Sequence, residues 1–390
     1  MKNNLLKLIC GERGYIDKSP VITQSFISVM FDQSISSGKI PNTIVIDIDK
    51  LENKIREIEI YDSKNKKSSY KQIFNEKFIT GMQVNSEIIP IEIFKTKILL
   101  PLCLMYEKDC EIYLFSYLRI LNNKILFIFS GKEFREKIDK NNLLTLFQEK
   151  HRQNALFFNN HQCYYNKLFK GEEIEYKYTL PKNGDIWKLT QDFYNDVKLN
   201  KIPEYIPEFG DEFQSWDYEN YLFEINSPIE ERGYISFIPL TKGGYTIKRK
   251  WFSEDSVKRR EVHYKETEKI SDYKKYIHDR FGVTGRELPS FQRIRYDVNF
   301  ESILTGHVFG VYFDYSYLHS DETKVLCQCE LEYIRTRSIN RNDEREMLEQ
   351  FNELANYMDK FFKERAIPTN RGVYSKLSFL KNCIKENNDD

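Results

Sequence analysis

A chain of 390 residues is too long for one ordinary core and points to about two or three domains. Apolar residues make up 41% and aromatics 15%, enough buriable surface to exclude disorder for most of the length, while 11 Pro and 16 Gly exclude collagen-like and linker-like chains. Lys and Arg number 59 and so do Asp and Glu, so the chain has no bulk attraction for nucleic acid or an anionic membrane, and any site for a polyanion must be local. The cysteines (Cys10, Cys103, Cys110, Cys163, Cys327, Cys329 and Cys383) are scattered and form no C-x-x-C pair, and they read as free thiols in a reducing compartment. The N-terminal apolar run is too short for a secretory signal. The most apolar stretch, Ile98 to Tyr106, is about half of the roughly 20 residues a spanning helix needs. No membrane association and a cytoplasmic location are expected.

Residues 1–165 read as a mixed α/β domain without a chemical signature. Thr43 to Asp49, Ile91 to Phe94, Ile98 to Tyr106, Glu111 to Leu121 and Lys124 to Ser130 are strand-like runs, and Phe134 to Phe147 carries a rough helical stripe. Lys64 to Ser69 is a polar loop, and Asn159-Asn160 marks a boundary. Residues 166–390 are patterned more tightly. A strand is expected over Glu172 to Leu180, a helix over Ile186 to Leu199 and a loop over Lys201 to Phe213. Further strands follow at Asp217 to Ile225, Gly233 to Ile238, Tyr245 to Phe252 and Arg259 to Thr267, with a hairpin signal at Thr241-Lys-Gly-Gly244. A helical insertion at Ser271 to Phe281 precedes strands at Phe291 to Asn299, Val308 to Tyr315 and Lys324 to Arg335. Asn342 to Glu364 has the best helical spacing in the chain, with Met347, Phe351, Leu354, Met358 and Phe362 on one stripe. The sum is an α+β domain with about eight antiparallel strands, expected to close into a barrel under covering helices.

The polar faces of these strands are unusually charged. Glu173, Glu175 and Lys177 share one face, and Ile174, Tyr176 and Tyr178 the other. Lys248 with Lys250, His263 with Lys265, Arg293 with Arg295, Asp314, and Glu330 with Glu332 repeat the pattern. An open sheet with a solvated face explains any one strand. If the sheet closes, all these charges point into the lumen.

This ordered series of acidic strand, basic pair, Lys, basic pair, Asp, acidic pair and long helix, followed by Ser375-Lys376, resembles the CYTH family of triphosphate tunnel enzymes over roughly Phe169 to Phe379. That group includes class IV adenylyl cyclases, thiamine and inorganic triphosphatases and, more distantly, fungal and viral RNA triphosphatases. The resemblance implies a closed tunnel in which Lys177, Lys248, Lys250, Lys265, Arg293, Arg295 and Lys376 clamp a triphosphate. It also implies that Glu173, Glu175, Asp314, Glu330 and Glu332 serve Mg²⁺ or Mn²⁺, and that Glu173, Glu175, Lys177 and Glu332 are the catalytic set. The expected activity is metal-dependent hydrolysis of tripolyphosphate, ATP or another nucleoside triphosphate, or thiamine triphosphate. An adenylyl cyclase making cyclic AMP and a non-catalytic triphosphate sensor signalling through residues 1–165 are the alternatives. Three departures stand out. Lys167-Leu168 occupies the place of a His-Phe pair in cyclase-type members, the basic pair is Lys-x-Lys where Arg-x-Arg is commoner, and the long segment Thr179 to Tyr245 has room for a lid.

Other signals carry less. Asp47-Ile-Asp49 reads as a strand end with solvated carboxylates, and Gly11-Glu-Arg-Gly14 lacks phosphate-loop spacing. His263 is in phase with the lumen and reads as a hydrogen-bonding residue. Lys258 to Arg260, with Asp255 and Glu261 around it, reads as a surface strand start. Nucleic acid is not expected as a partner, and a homodimer is left open.

Overall fold

A computed structural model describes residues 4–11, 25–33, 35, 39–62, 67–70, 79–80, 83–85, 94, 98–134, 136, 143–153, 165–208, 210, 212–339 and 343–389. Two compact units divide the chain. The first comprises Met1–Tyr165 with Ile303–Gly306 and Arg337–Arg341, and the second Asn166–Ser302, His307–Thr336 and Asn342–Asp390. Two short segments from within residues 166–390 thus belong to the first unit.

The first unit is β-rich among its described residues. Strands β1 (Asn4–Gly11), β2 (Phe26–Gln33), β3 (Thr43–Asp47), β4 (Ile55–Tyr61) and β5 (Lys67–Tyr70) join an antiparallel sheet. The short β6 (Ile79–Thr80) and β7 (Gln83–Asn85) and the long β8 (Ile98–Lys108), β9 (Glu111–Leu121) and β10 (Lys124–Phe134) complete it in the order β3-β10-β9-β8-β1-β2-β4-β5, with β6 and β7 off β8. The expectation of a mixed α/β fold is corrected. Among described residues helix is confined to α1 (Ile48–Leu51), whose N-cap is Asp47, short 3₁₀ turns at Glu52–Lys54 and Glu136, and α2 (Leu143–Gln153). Phe134 ends a strand, so the expected stripe from Phe134 mixes two elements. The expected strand at Ile91–Phe94 and the Asn159-Asn160 boundary lie outside the described residues, apart from Phe94.

The second unit is built on a twelve-stranded antiparallel sheet that curls. A two-residue β11 (Tyr165–Asn166) leads to β12 (Glu172–Leu180), and Asp185 caps α3 (Ile186–Lys198) through the Lys188 amide. Then come β13 (Tyr205–Pro207), β14 (Phe213–Ser227), β15 (Gly233–Pro239), β16 (Tyr245–Trp251), β17 (Lys258–Glu266), α4 (Tyr273–Phe281) and β18 (Thr284–Glu287). β19 (Phe291–Ser302), β20 (His307–Leu318), β21 (Val325–Arg337), α5 (Glu344–Glu364), β22 (Arg371–Gly372) and α6 (Lys376–Asp389) finish the chain. The main path runs β21-β20-β19-β14-β15-β16-β17-β12, and β12 pairs β21 as well, Glu175 opposite Glu332 and Lys177 opposite Glu330. The segment 179–245 is not a separate lid, since it supplies α3 and strands of this sheet. The expected loop at Lys201–Phe213 contains β13, which pairs with β19 through Tyr205–Pro207.

Alternation along the strands separates the two chemistries. Ile174, Tyr178, Phe300, Phe309, Val311, Phe313, Cys329 and Leu331 pack with Phe193 of α3 and with Met347, Phe351, Leu354, Met358 and Phe361 of α5. A second core, with Phe223, Ile235, Phe237 and Ile247, is covered by Ile277 of α4. The helices therefore bury the apolar face, and the charged face is left to the inside of the curl. Phe193 is fully buried and meets Phe300, Tyr357 and Phe361 edge-on, with ring centroids 5.5–6.4 Å apart. Phe193→Ala should cost about 3–5 kcal/mol in urea unfolding; an unchanged midpoint would contradict this account of the core.

Candidate active site

The inner faces of β12, β14–β17 and β19–β21, with Lys376 at the start of α6, line a cavity of about 230 Å³. Six cations line it (Lys177, Lys248, Lys250, Arg293, Arg295 and Lys376) and six carboxylates (Glu173, Glu175, Glu261, Asp297, Glu330 and Glu332). Strand register places them. Lys248 faces His263 and Lys250 faces Glu261 across β16 and β17, while Arg295 faces Asp314 across β19 and β20.

At the deep end the charges are interlocked. Asp314 has no exposed surface and lies behind the cavity lining, where Arg295 Nε donates to its Oδ1 at 2.7 Å and Lys376 Nζ to its Oδ2 at 2.8 Å; Arg293 also pairs with it. Glu330 accepts from Lys177 at 2.7 Å and from Arg293 at 3.0 Å, and pairs with Arg295 and Lys376. Burial alone would raise the Glu330 carboxyl, but Lys177, Lys376 and the two arginines hold it well below the usual carboxylate range. Lys376 shows the opposite balance: burial, with Arg293 beside it, pushes its ammonium down to about 7.

A second cluster brings Glu173, Glu175 and Glu332 together, one carboxylate oxygen from each within 4.8 Å of the others. Lys177 lies 2.9 Å from Glu175, Lys250 pairs with Glu173 and lies 2.7 Å from Glu261, and Arg259 pairs with Glu175 and lies 3.7 Å from Glu173. Among the described residues Glu332 shows no hydrogen bond or ion pair. Burial, then the neighbouring Glu173 and Glu261, raises its pKa to about 7. Opposite Glu332 stands Gly310, where a Cβ would fall 2.3 Å from the Tyr312 phenol, so the glycine lets that ring lie flat against the wall. Three carboxylate oxygens with no nitrogen or sulfur donor suit a hard divalent cation, and a carboxylate left without a partner has ligand capacity to spare.

The expected residues divide accordingly. Glu173, Glu175, Lys177, Lys248, Lys250, Arg293, Arg295, Glu330, Glu332 and Lys376 line one cavity. Asp314 belongs to its second layer and does not join the three-glutamate cluster. Lys265 is exposed and outside the lining, because it lies one step along β17 past His263, which is already half exposed. The reading of Lys258–Glu261 as surface is corrected for two residues: Arg259 is buried among the glutamates, and Glu261 lines the cavity. Their signal was the alternation Arg259-x-Glu261-x-His263. Asp297, two residues past Arg295 on the same face, also went unread. Its Oδ2 accepts from Trp216 Nε1 at 2.9 Å, its Oδ1 has no hydrogen bond, and burial raises its pKa to about 6.

No helix among the described residues is long and apolar enough to cross a membrane. The chain matches no protein-family model and no curated protein. Among solved structures it is similar to a conserved hypothetical protein from Pyrococcus furiosus, with 16% identity, 47% of this chain and 88% of that one covered, and a TM-score of 0.27. A protein of Pyrococcus horikoshii OT3 gives the same identity and coverage with a TM-score of 0.28. The S. pombe Pct1 RNA triphosphatase, in complex with the Spt5 CTD, gives 11% identity, 59% and 94% coverage and a TM-score of 0.24. Likenesses this slight carry no argument, and the functional reading rests on the side chains.

Proposed function

We propose that residues 166–390 form a metal-dependent triphosphate phosphohydrolase whose curled sheet works as a closed eight-stranded tunnel. The pairing of β12 with both β17 and β21 supports the tunnel. The observation that carries the activity is the cavity's charge pattern: six cations against six carboxylates, nearly all already paired with one another. Buried charges persist only in company, because desolvating each costs several kcal/mol. Such a lining is matched by a ligand that is itself a pair, a polyphosphate with a divalent cation such as Mg²⁺ or Mn²⁺.

In this reading Glu173, Glu175 and Glu332 hold the cation. When bound, it neutralises phosphate charge and makes a water more acidic. The chain's own groups do the rest. Lys177 and Lys250, released from the glutamates, turn to phosphate oxygens, while Arg259 stays behind the lining against Glu175. Arg293, Arg295 and Lys376 receive the terminal phosphate at the deep end, where charge-assisted hydrogen bonds stabilise the transferring group. Lys248, which shows no ion pair within 4 Å among the described residues, makes the first contact.

Incubation with Mg²⁺ or Mn²⁺ and, separately, ATP, tripolyphosphate and thiamine triphosphate should release orthophosphate. Cyclic nucleotide with pyrophosphate would instead mark a cyclase, and binding without turnover a sensor. Glu173→Gln or Glu175→Gln should lower metal-dependent turnover by about a hundredfold or more while the far-UV spectrum is kept; full activity in both would remove the cluster from the chemistry. Lys248→Ala breaks no ion pair among the described residues, so it should weaken triphosphate binding about tenfold by calorimetry without moving the melting temperature. An equal loss of metal affinity would contradict the division of roles.

Metal affinity should also depend on pH. Glu332 keeps its proton below about 7, and a cation must displace it. Affinity should therefore be full above that pH and fall by about tenfold per unit well below it, in the wild type but not in Glu332→Gln. A flat profile between pH 5 and 8 would show that Glu332 is not a ligand.

A further inference from the structure

We infer that the tunnel selects a nucleoside triphosphate over unesterified tripolyphosphate, with Asp297 and Trp216 as the selecting pair; this rests on the triphosphatase reading above. The cavity is asymmetric. Its deep end carries Lys177, Arg293 and Lys376, each at most 9% exposed, and the other end carries Lys248 and His263, toward which Asp297, itself 9% exposed, continues β19 beyond Arg293 and Arg295. His263 and Trp216 are about half exposed, which identifies that end as the mouth. A triphosphate drawn by the deep cations enters terminal phosphate first, so its other end comes to rest at the mouth.

There the chemistry changes sign. Asp297 continues the inner face of β19 immediately beyond Arg293 and Arg295, and is about nine-tenths buried. Trp216 Nε1 holds Oδ2 in place, while Oδ1 lacks any hydrogen bond; the nearest cation, Arg295 Nε, is 3.8 Å away and committed to Asp314 at 2.7 Å. An oriented acceptor of this kind repels a free phosphate terminus, with its additional charge, and accepts from a neutral hydroxyl. A ribose attached to the α-phosphate presents such hydroxyls within a few ångströms of the phosphate. Trp216, 48% exposed and opposite Arg295 in the strand register, offers a flat aromatic surface beside that acceptor, as a nucleobase requires. Oδ1 has almost no accessible surface before a ligand binds, so a hydroxyl reaches it by displacing the side chains that cover it.

The test compares ATP, GTP and tripolyphosphate on the full-length chain with Mg²⁺, by phosphate release and by calorimetry. Wild type should favour the nucleotides in kcat/KM. Asp297→Asn keeps the shape and the Trp216 contact but removes the charge; it should weaken nucleotide binding and strengthen tripolyphosphate binding, lowering the preference by about tenfold or more. Trp216→Leu, an exposed change that leaves folding intact, should lower the same ratio by about five- to hundredfold. Tripolyphosphate used as well as ATP, or both ligands shifted by one common factor in Asp297→Asn, would overturn the selection while leaving the triphosphatase reading in place. Failure to bind any triphosphate would overturn both.

Discussion

Mutual neutralisation of buried charge is the constraint on which this molecule depends. A dozen Lys, Arg, Asp and Glu side chains line one cavity of the second unit, balanced six against six, with Asp314 and Arg259 packed behind them. None of the buried ones could stand alone at neutral pH. In the deep lattice of Arg293, Arg295, Lys376, Asp314 and Glu330 every member has at least two partners, and in the proposed function this scaffold would also be the binding site. In the proposed function the groups that matter are those not satisfied: among the described residues Glu332 and Lys248 show no ion pair, and Asp297 Oδ1 accepts no hydrogen bond, with Arg295 3.8 Å away. These three mark where a cation, a phosphate and a neutral donor would each find a vacant partner.

Such an arrangement links the two ligands. In the proposed function a divalent ion on Glu173 and Glu175 would free Lys177 and Lys250, and a phosphate on those cations would free the glutamates. Each ligand thereby supplies what the other displaces, which is a coupling free energy and must be reciprocal. The fold makes this exchange available because rigid strands hold the cations and carboxylates within one side chain's reach of each other, so partners change by rotamer movement alone.

How much of this could be read beforehand follows from strand geometry. The face of each charged residue was legible, since a period of two puts alternate residues on one side, and the charged runs at Glu173–Lys177, Lys248–Lys250, Arg293–Arg295 and Glu330–Glu332 all lie on the inner face. Depth was not legible. Lys265 and Arg259 have the same phase on β17, yet one is exposed and the other buried, because depth is set by register with β12 and β16. Asp314 likewise shows its face in the sequence but not that two arginines and a lysine enclose it. The long helix at Glu344–Glu364 announced itself through its apolar stripe and capping Asp343. In the first unit the apolar runs were visible as strands, but the stripe from Phe134 joined the end of one strand to a later helix, since periodicity over so few residues does not separate the two.

The most direct test titrates a triphosphate into the full-length chain by calorimetry, with and without Mg²⁺. Ion-pair exchange predicts weak binding in the absence of the cation and an affinity at least about tenfold higher at saturating Mg²⁺, beyond what metal chelation by the triphosphate in solution contributes. Equal affinity under both conditions would mean that the cavity cations are free to bind phosphate unaided, and the account of a self-neutralised tunnel would fail.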